Sequence, residues 1–235
     1  DFVGECEEWR SESTNGWQPE QIYEAIEERI ADHAGRVLSR GSRYLGLGLA
    51  VASIVDARGS VHPSADFPYD LSELPERLST AVGARSTLVV ENDANCAALF
   101  HHQRISEPKG PIISIVFSHK PDSVGAGLLL DGTLYRGSNG GAGEILPSGF
   151  RGGVVEADEL VAAAVRLTDP AVVVLATDEG ESYPESYRRL SRELASREVV
   201  YAANPEASLR GAAFLAYERA LPRCVVNGTR EGGYE

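Results

Sequence analysis

The amino-acid sequence predicts an α/β protein of two lobes, built on mostly parallel sheet with helices on its faces. Patterns typical of buried strands alternate along the chain with patterns typical of amphipathic helices, and this alternation favours parallel strands covered by helices. The 235 residues suffice for one large domain or two small lobes. A Pro-Lys-Gly-Pro stretch at residues 108–111 has the composition of a linker between them.

The first lobe is predicted over residues 1–107. Its first helix starts at Pro19, a residue suited to the first helical turn, and carries isoleucine and valine on one stripe. A single strand is predicted from Leu45 to Val55, followed by a turn with the sequence Asp-Ala-Arg-Gly. The elements predicted in order are a helix 19–40, a strand 45–55, a helix 71–82, a strand 87–90 and a helix 94–103.

The second lobe is predicted over residues 108–207, and its clearest element is a hairpin. The apolar runs 128–130 and 133–135 flank Asp131 and Gly132, and Asp-Gly between two such runs is a strong hairpin signal. A last helix is expected to pack with the first lobe. The remaining predictions are strands 112–117, 171–175 and 199–202 and helices 156–167, 185–195 and 205–221.

The bulk composition excludes several classes of function. The net charge is −13, and a surface this acidic repels phosphate backbones, so the chain alone is predicted to bind nucleic acid poorly. The three cysteines are far apart and odd in number, which argues against a disulfide framework and favours a reducing, cytoplasmic compartment. The longest apolar run, residues 44–55, is too short to span a bilayer, so no membrane partner is expected.

Residues 91–95, Glu-Asn-Asp-Ala-Asn, are the first candidate for a functional site. They follow an apolar run and precede a helix-like run, so Asp93 is predicted at the carboxyl end of a buried strand. Ligands bind there in open α/β sheets, and a carboxylate in that place can accept a proton from a bound hydroxyl. Alternatively, Asn92 or Asp93 caps the following helix. The residues alone leave both interpretations open.

Residues 125–144 carry a second motif, in which Gly-Ala-Gly and the Asp-Gly hairpin precede a Gly-Gly-Ala-Gly-Glu loop. Together with Asn-Asp-Ala-Asn at 92–95, this pattern resembles the ROK family (repressor, open reading frame, kinase). Its members are sugar kinases and sugar-sensing transcription factors. They share the actin-like ATPase fold, so the resemblance implies a two-lobed actin-like ATPase (ribonuclease H-like) fold. The resemblance covers roughly residues 20–220.

The resemblance implies a sugar site formed by three residues. Asp93 matches the catalytic base of the family's kinases, Asn92 matches a sugar-hydroxyl contact, and Glu144 matches the carboxylate of the family's Gly-Glu-Ile-Gly-His motif. By residue type alone, Glu144 would be a solvated loop residue. The motif's histidine, which contacts sugar and ligates zinc in many members, is missing here, since Leu-Pro follows Ile145. The family's cysteine-rich zinc signature is also absent, so no metal is expected.

The nucleotide-binding residues of the family are absent or altered. The Asp-X-Gly-Gly-Thr loop does not occur in the sequence, so the first strands of the N-terminal lobe are expected to be missing. The second phosphate loop aligns with residues 121–127, where Gly125 and Gly127 remain, but Asp122 and Ser123 replace a threonine and a glycine. An anionic side chain repels a triphosphate at short range. No cofactor is therefore expected, and ATP with magnesium would serve only a kinase.

The resemblance implies a bacterial, cytoplasmic, homodimeric protein whose small-molecule partner is a sugar. The expected function is the sugar-binding effector domain of a ROK-type transcriptional regulator, with DNA contacted only through a winged helix that is not in this chain. One alternative is an ATP-dependent hexose kinase with Asp93 as base. A second alternative is a catalytically inactive dimeric interaction module. A regulator binds sugar without nucleotide, a kinase consumes ATP only with sugar, and an interaction module does neither.

Overall fold

The computed structural model describes most of the chain from residue 16 to residue 228. The described residues are 16–41, 45–64, 67, 69–82, 86–105, 110–117, 124–146, 150, 152, 154–177, 189–190, 192, 194, 197–204 and 206–228. The helices are α1 (Pro19–Ser39), α2 (Leu74–Val82), α3 (Asp93–His102), α4 (Val154–Thr168) and α5 (Ala207–Gly228). The strands are β1 (Gly46–Val51), β2 (Ile54–Val55), β3 (Val61–His62), β4 (Thr87–Asn92), β5 (Ile112–Phe117), β6 (Val124–Leu130), β7 (Thr133–Tyr135), β8 (Val172–Thr177) and β9 (Glu198–Ala203).

Several predictions lie outside these residues. They include the expected absence of the first strands of the N-terminal lobe, which concerns residues before 16, the loop with Asp122 and Ser123, and most of the helix predicted at 185–195. The last helix is longer than predicted and ends at Gly228. Within the described part of the chain, no helix combines the length and the apolar character that crossing a membrane requires.

The larger sheet has five strands in the order β7-β6-β5-β8-β9. Strands β5, β8 and β9 are parallel, as predicted. Strand β6 runs antiparallel to β5 and also to β7, to which a tight hairpin joins it. Asp131 and Gly132 form that hairpin with φ values of 50° and 73°. Two left-handed residues are what a two-residue turn of matching twist requires, so the predicted hairpin is confirmed. A second, two-stranded sheet pairs β1 with β4 in parallel.

The single strand predicted at residues 45–55 was wrong. Strand β1 ends at Val51, and the chain bends through Ala52 and Ser53 before the two residues of β2. Ser53 causes the break through two hydrogen bonds. Its amide donates to the carbonyl of Val51, and its hydroxyl donates to the carbonyl of His62 on β3. A hydroxyl that bonds to nearby backbone competes with the sheet ladder in this way.

The larger sheet is covered by helices on both faces, which explains why its strands read as nearly continuous apolar runs. Helices α3 and α5 pack on one face, where Val174 and Leu129 meet Leu99 and Leu215. Helix α4 packs on the other face, where the alternate residues of β5 and β8 contact it. The sheet core therefore takes its apolar side chains from residues more than ninety positions apart in sequence.

Helix α5 packs against strand β1 of the two-stranded sheet and against helix α3 on the larger sheet. Its small residues lie directly on β1, where any side chain on Gly48 would overlap the carbonyl of Ala212. They also lie directly on α3, where a side chain on Gly211 would overlap the carbonyl of Cys96. These contacts show that α5 packs on β1 and on α3. The division into lobes at residues 107 and 108 stays a prediction.

His101 is buried between α3 and β5 with only one of its ring nitrogens bonded. It is 5% exposed, and its Nδ1 lies 3.0 Å from the hydroxyl of Ser114. Its Nε2 has no hydrogen-bond partner in the part of the chain described. Burial, and then the charge of Arg104, lower the pKa of His101 to about 4. The imidazole is therefore neutral in the folded protein at physiological pH.

This burial makes stability depend on pH. The unfolded chain takes up a proton on His101 near pH 6.5 and the folded chain only near pH 4, so protonation favours unfolding across that window. We expect the free energy of unfolding to fall by about 3 kcal/mol from this group as the pH drops from 6.5 to 4. Urea titrations of the wild type and of His101→Asn should show a shallower pH dependence in the variant. An imidazole of His101 that titrates near 6.5 by NMR would contradict this expectation.

Candidate functional site

The junction of β4 and α3 forms one side of the candidate site. Strand β4 ends at Asn92 and helix α3 begins at Asp93, which confirms the predicted location of Asp93 at the carboxyl end of a buried strand. Asn92 is the N-cap of α3, since its backbone is extended and its side-chain oxygen accepts from the amide of Asn95 at 2.9 Å. The capping interpretation thus holds for Asn92.

Asn92 also ties the junction to the bend that follows β1. Its side-chain nitrogen donates to the carbonyl of Ser53 at 3.1 Å. A carboxamide has two donor hydrogens and two acceptor lone pairs, so these bonds use one of each. Capping a helix and contacting a ligand hydroxyl are therefore compatible roles for this one side chain.

Asp93 is the first residue of α3 and is half-buried. One carboxylate oxygen accepts from the amide of Ala94 at 2.8 Å. The N-terminus of a helix carries partial positive charge, which stabilises an ionised carboxylate. An ionised carboxylate can accept a hydrogen bond from a ligand hydroxyl, and it can also act as a general base.

Glu91 and Arg136 were missed by the sequence analysis and form the most buried ion pair at this junction. Glu91 is 2% exposed. One of its oxygens accepts from the Nε of Arg136 at 2.6 Å, and the other accepts from the amide of Asn92 at 3.0 Å and the side chain of Asn95 at 2.9 Å. The signal available in the sequence was a glutamate ending an apolar strand, since a buried charge requires a partner.

The loop of residues 137–144 forms the other side of the candidate site. The carbonyl of Arg136 accepts from the amide of Ala142 at 3.1 Å, which closes the loop on itself. Gly143 accepts from the amide of Ala126 on β6 at 3.2 Å, and the amide of Glu144 donates to Gly141 at 3.3 Å. Several backbone bonds therefore fix the loop, and Glu144 follows with an exposed side chain.

A series of contacts connects this loop with the β4–α3 junction. Gly143 lies against Ala126 on β6. The neighbouring Gly125 lies against α3, where a side chain would bring its Cβ within 2.9 Å of the Cβ of Ala94. Glu144 and Asp93 are thus each one residue away from these contacts. That all three predicted residues, Asn92, Asp93 and Glu144, line one pocket stays a prediction that these contacts favour.

Gly125 and Gly127 have a packing role in addition to the role predicted for them. Both lie in β6 and face α3, and a side chain on Gly127 would overlap the carbonyl of Ala94. The strand therefore packs on the helix with no room for side chains between the two backbones. Phosphate binding by these glycines stays a prediction.

Cys96 lies in the same helix and is a poor candidate for a nucleophile. It is completely buried. Burial raises the pKa of the Cys96 thiol well above its usual value, and the charges of Glu91 and Asp93 raise it further. The thiol therefore stays protonated at neutral pH, and a protonated thiol does not attack substrates. The polar groups at the junction fit ligand binding or proton transfer better than covalent catalysis.

The architecture is the actin-like ATPase fold, as comparison with solved structures shows. A ROK family glucokinase from Streptomyces griseus, solved with glucose and AMPPNP, aligns with a TM-score of 0.66 at 20% identity over 86% of this chain and 89% of that chain. An inorganic polyphosphate/ATP-glucomannokinase from Arthrobacter aligns with a TM-score of 0.63 at 19% identity, covering 93% of this chain and 92% of that chain.

The sequence identifies the family directly. The ROK family model matches residues 5–145, more than half of the chain. The protein belongs to the ROK family, and the resemblance seen in the sequence is confirmed.

Relatives of both functional kinds are similar to this chain. A ROK family transcriptional regulator, a homologue of the E. coli MLC protein, aligns with a TM-score of 0.63 at 13% identity over 86% of this chain and 69% of that chain. The xylose repressor of Staphylococcus xylosus is 30% identical over 104 residues, which are 43% of this chain and 25% of the repressor. The match thus spans about a quarter of that curated relative.

Proposed function

We propose that this chain binds a sugar at the β4–α3 junction and acts as the effector-binding part of a ROK transcriptional regulator. The observation that carries the proposal is the 137–144 loop, which ends in Glu144, is hydrogen-bonded to β6, and is connected through the packing of β6 to the start of α3. Membership of a family that includes sugar kinases and repressors supports a sugar as the ligand.

The chemistry of the three residues suits a sugar. Each sugar hydroxyl donates one hydrogen bond, and an ionised carboxylate accepts bonds on both oxygens. Asp93 and Glu144 would accept from hydroxyls on opposite sides of the ring, and Asn92 would use the donor hydrogen that its bond to the Ser53 carbonyl leaves over. Hydrogen bonds from hydroxyls to charged groups contribute more affinity than neutral ones, about 1.5 to 3 kcal/mol each.

One feature of the sequence favours a regulator over a kinase. Asp122 and Ser123 stand where the family has a phosphate-binding threonine and a glycine. Phosphoryl transfer depends on positioning and on neutralising phosphate charge, and an anionic side chain in the phosphate loop opposes both. In this proposal DNA is contacted through a domain outside this chain, because a net charge of −13 opposes DNA binding. The proposed regulator is a cytoplasmic homodimer that uses no cofactor.

A sugar kinase is the second candidate, and the location of Asp93 favours it. A carboxylate at a helix N-terminus, at the end of a strand, is suited to accept the proton of an attacking hydroxyl. In this alternative ATP with magnesium would supply the phosphoryl group, and Asp93 would be the catalytic residue.

The proposal is tested with the whole 235-residue chain. Calorimetry with common hexoses and N-acetylhexosamines, without nucleotide, should detect binding, and a coupled assay with ATP and magnesium should detect no release of ADP. Glu144→Gln should weaken the binding of the sugar that wild type prefers. Sugar-dependent ADP release at about one per second or faster would show a kinase instead. If the chain neither binds sugar nor releases ADP, the result favours the interaction module.

A further inference from the structure

The buried carboxylate of Glu91 contacts both sides of the candidate site. We propose that Glu91 and Arg136 are positioning residues, which hold the 137–144 loop in register with the first turn of α3 and so set the place of Glu144 relative to Asp93. This inference rests on the proposed sugar site. It adds two residues that touch no ligand but determine the geometry of the site.

One oxygen of Glu91 organises the start of α3. It accepts from the backbone amide of Asn92 at 3.0 Å and from the side chain of Asn95 at 2.9 Å. Asn92 in turn caps the helix by accepting from the amide of Asn95. The orientation of the first helical turn, which carries Asp93, is therefore fixed from beneath by a residue of β4.

The other oxygen of Glu91 organises the loop. It accepts from the Nε of Arg136 at 2.6 Å, a short charge-assisted bond. The same arginine then accepts through its backbone carbonyl from the amide of Ala142, two residues before Glu144. Because this bond ties the start of the loop to its end, a shift of Arg136 would also move the residues before Glu144.

The Glu91–Arg136 ion pair is largely buried, which restricts the geometry that it can adopt. The Glu91 side chain is 3% exposed and that of Arg136 is 27% exposed. A buried carboxylate is costly unless it is paired and its oxygens are hydrogen-bonded, and both conditions are met here. Breaking a buried ion pair by removing one partner leaves the other charge uncompensated, so both side chains are held to the one geometry that connects the two sides of the site.

The experiment compares Arg136→Gln with Arg77→Gln as the matched control. Arg77 forms ion pairs of 2.9 Å and 3.0 Å with Glu20 and Glu27 of α1, away from the loop. We expect Arg136→Gln to weaken sugar binding about tenfold or more, because the displaced Glu144 would lose a charged hydrogen bond to the sugar. Arg136→Lys should recover part of the affinity because it keeps the cation, and Arg77→Gln should bind sugar as the wild type does.

Hydrogen exchange at the backbone amides of Ala142 and Glu144, measured without sugar, gives a readout that is independent of the ligand. Exchange should be faster in Arg136→Gln and unchanged in Arg77→Gln. If the wild type binds no sugar, the proposed function fails, and exchange in the loop alone decides the positioning role. Wild-type exchange in the loop of a folded Arg136→Gln protein would overturn that role. So would wild-type sugar affinity in that protein.

A second variant covers the case in which Arg136→Gln leaves Glu91 unpaired and does not fold. The double variant Glu91→Gln with Arg136→Gln removes both charges and leaves two amides that can bond to each other. It should fold, bind sugar about tenfold more weakly or worse, and exchange faster at Ala142. A double variant with wild-type affinity and wild-type loop exchange would overturn the inference.

Discussion

Replacing Gly211 with alanine is expected to lower the free energy of unfolding by about 3 kcal/mol, at the upper end of the cost of overpacking a core. An added Cβ at this position would overlap the carbonyl oxygen of Cys96, which is main chain in the middle of α3. Neither helix backbone yields as a flexible side chain would. The two helices must therefore move apart, which opens the core cluster that contains Leu99 and Leu215.

The control for this prediction is the same substitution at Gly35 in α1. A Cβ there meets no atom within 4 Å, so alanine should raise the free energy of unfolding by up to about 1 kcal/mol through helix propensity alone. Urea denaturation of the two variants measures both effects. Equal stabilities for Gly211→Ala and the wild type would mean that α3 and α5 can separate at no cost.

Replacing Gly143 with alanine is expected to abolish most sugar binding. Gly143 has a φ of 99°, and a Cβ there would overlap the carbonyl of Ala126. Alanine is strained at that φ and has no space, so the end of the loop must leave β6 and carry Glu144 with it. Loss of two charged hydrogen bonds of about 1.5 kcal/mol each corresponds to an affinity at least about a hundredfold lower.

Gly141→Ala is the control in the same loop, two residues away. Its Cβ would meet no atom within 4 Å, and its carbonyl would still accept from the amide of Glu144. It should bind sugar as the wild type does in calorimetry. Wild-type affinity in Gly143→Ala would show that Glu144 does not contact the ligand.

Local signals in the sequence predicted most elements correctly. The apolar runs of β5 and β8 and the Asp131-Gly132 turn depend on neighbours within a few residues, and the structure has them as expected. The prediction of one strand at 45–55 was wrong because the hydroxyl of Ser53 donates to the carbonyl of His62 on β3. A short apolar pattern carries no information about that partner.

The candidate site divides in the same way. Asp93 was recognisable because it ends an apolar run, and Asn92 because cap residues have a known composition. Glu91 and Arg136 were not, since nothing near either residue announces a partner 45 positions away. The packing of Gly125 and Gly127 on α3 was equally hidden. A glycine pattern fits a phosphate loop and a close backbone contact alike, and the pattern alone does not predict which helix the glycines contact.

The packing of α5 has a consequence for synthesis on the ribosome. Val89 of β4 and Ala50 of β1 belong to a core cluster that Ala212, Leu215 and Ala216 complete. The two-stranded sheet of the first half therefore lacks part of its cover until the last helix has emerged from the exit tunnel. Contacts of such long sequence separation form late and slowly. A nascent chain that stalls after β9 would present this uncovered apolar sheet to chaperones, although its own strands are already complete.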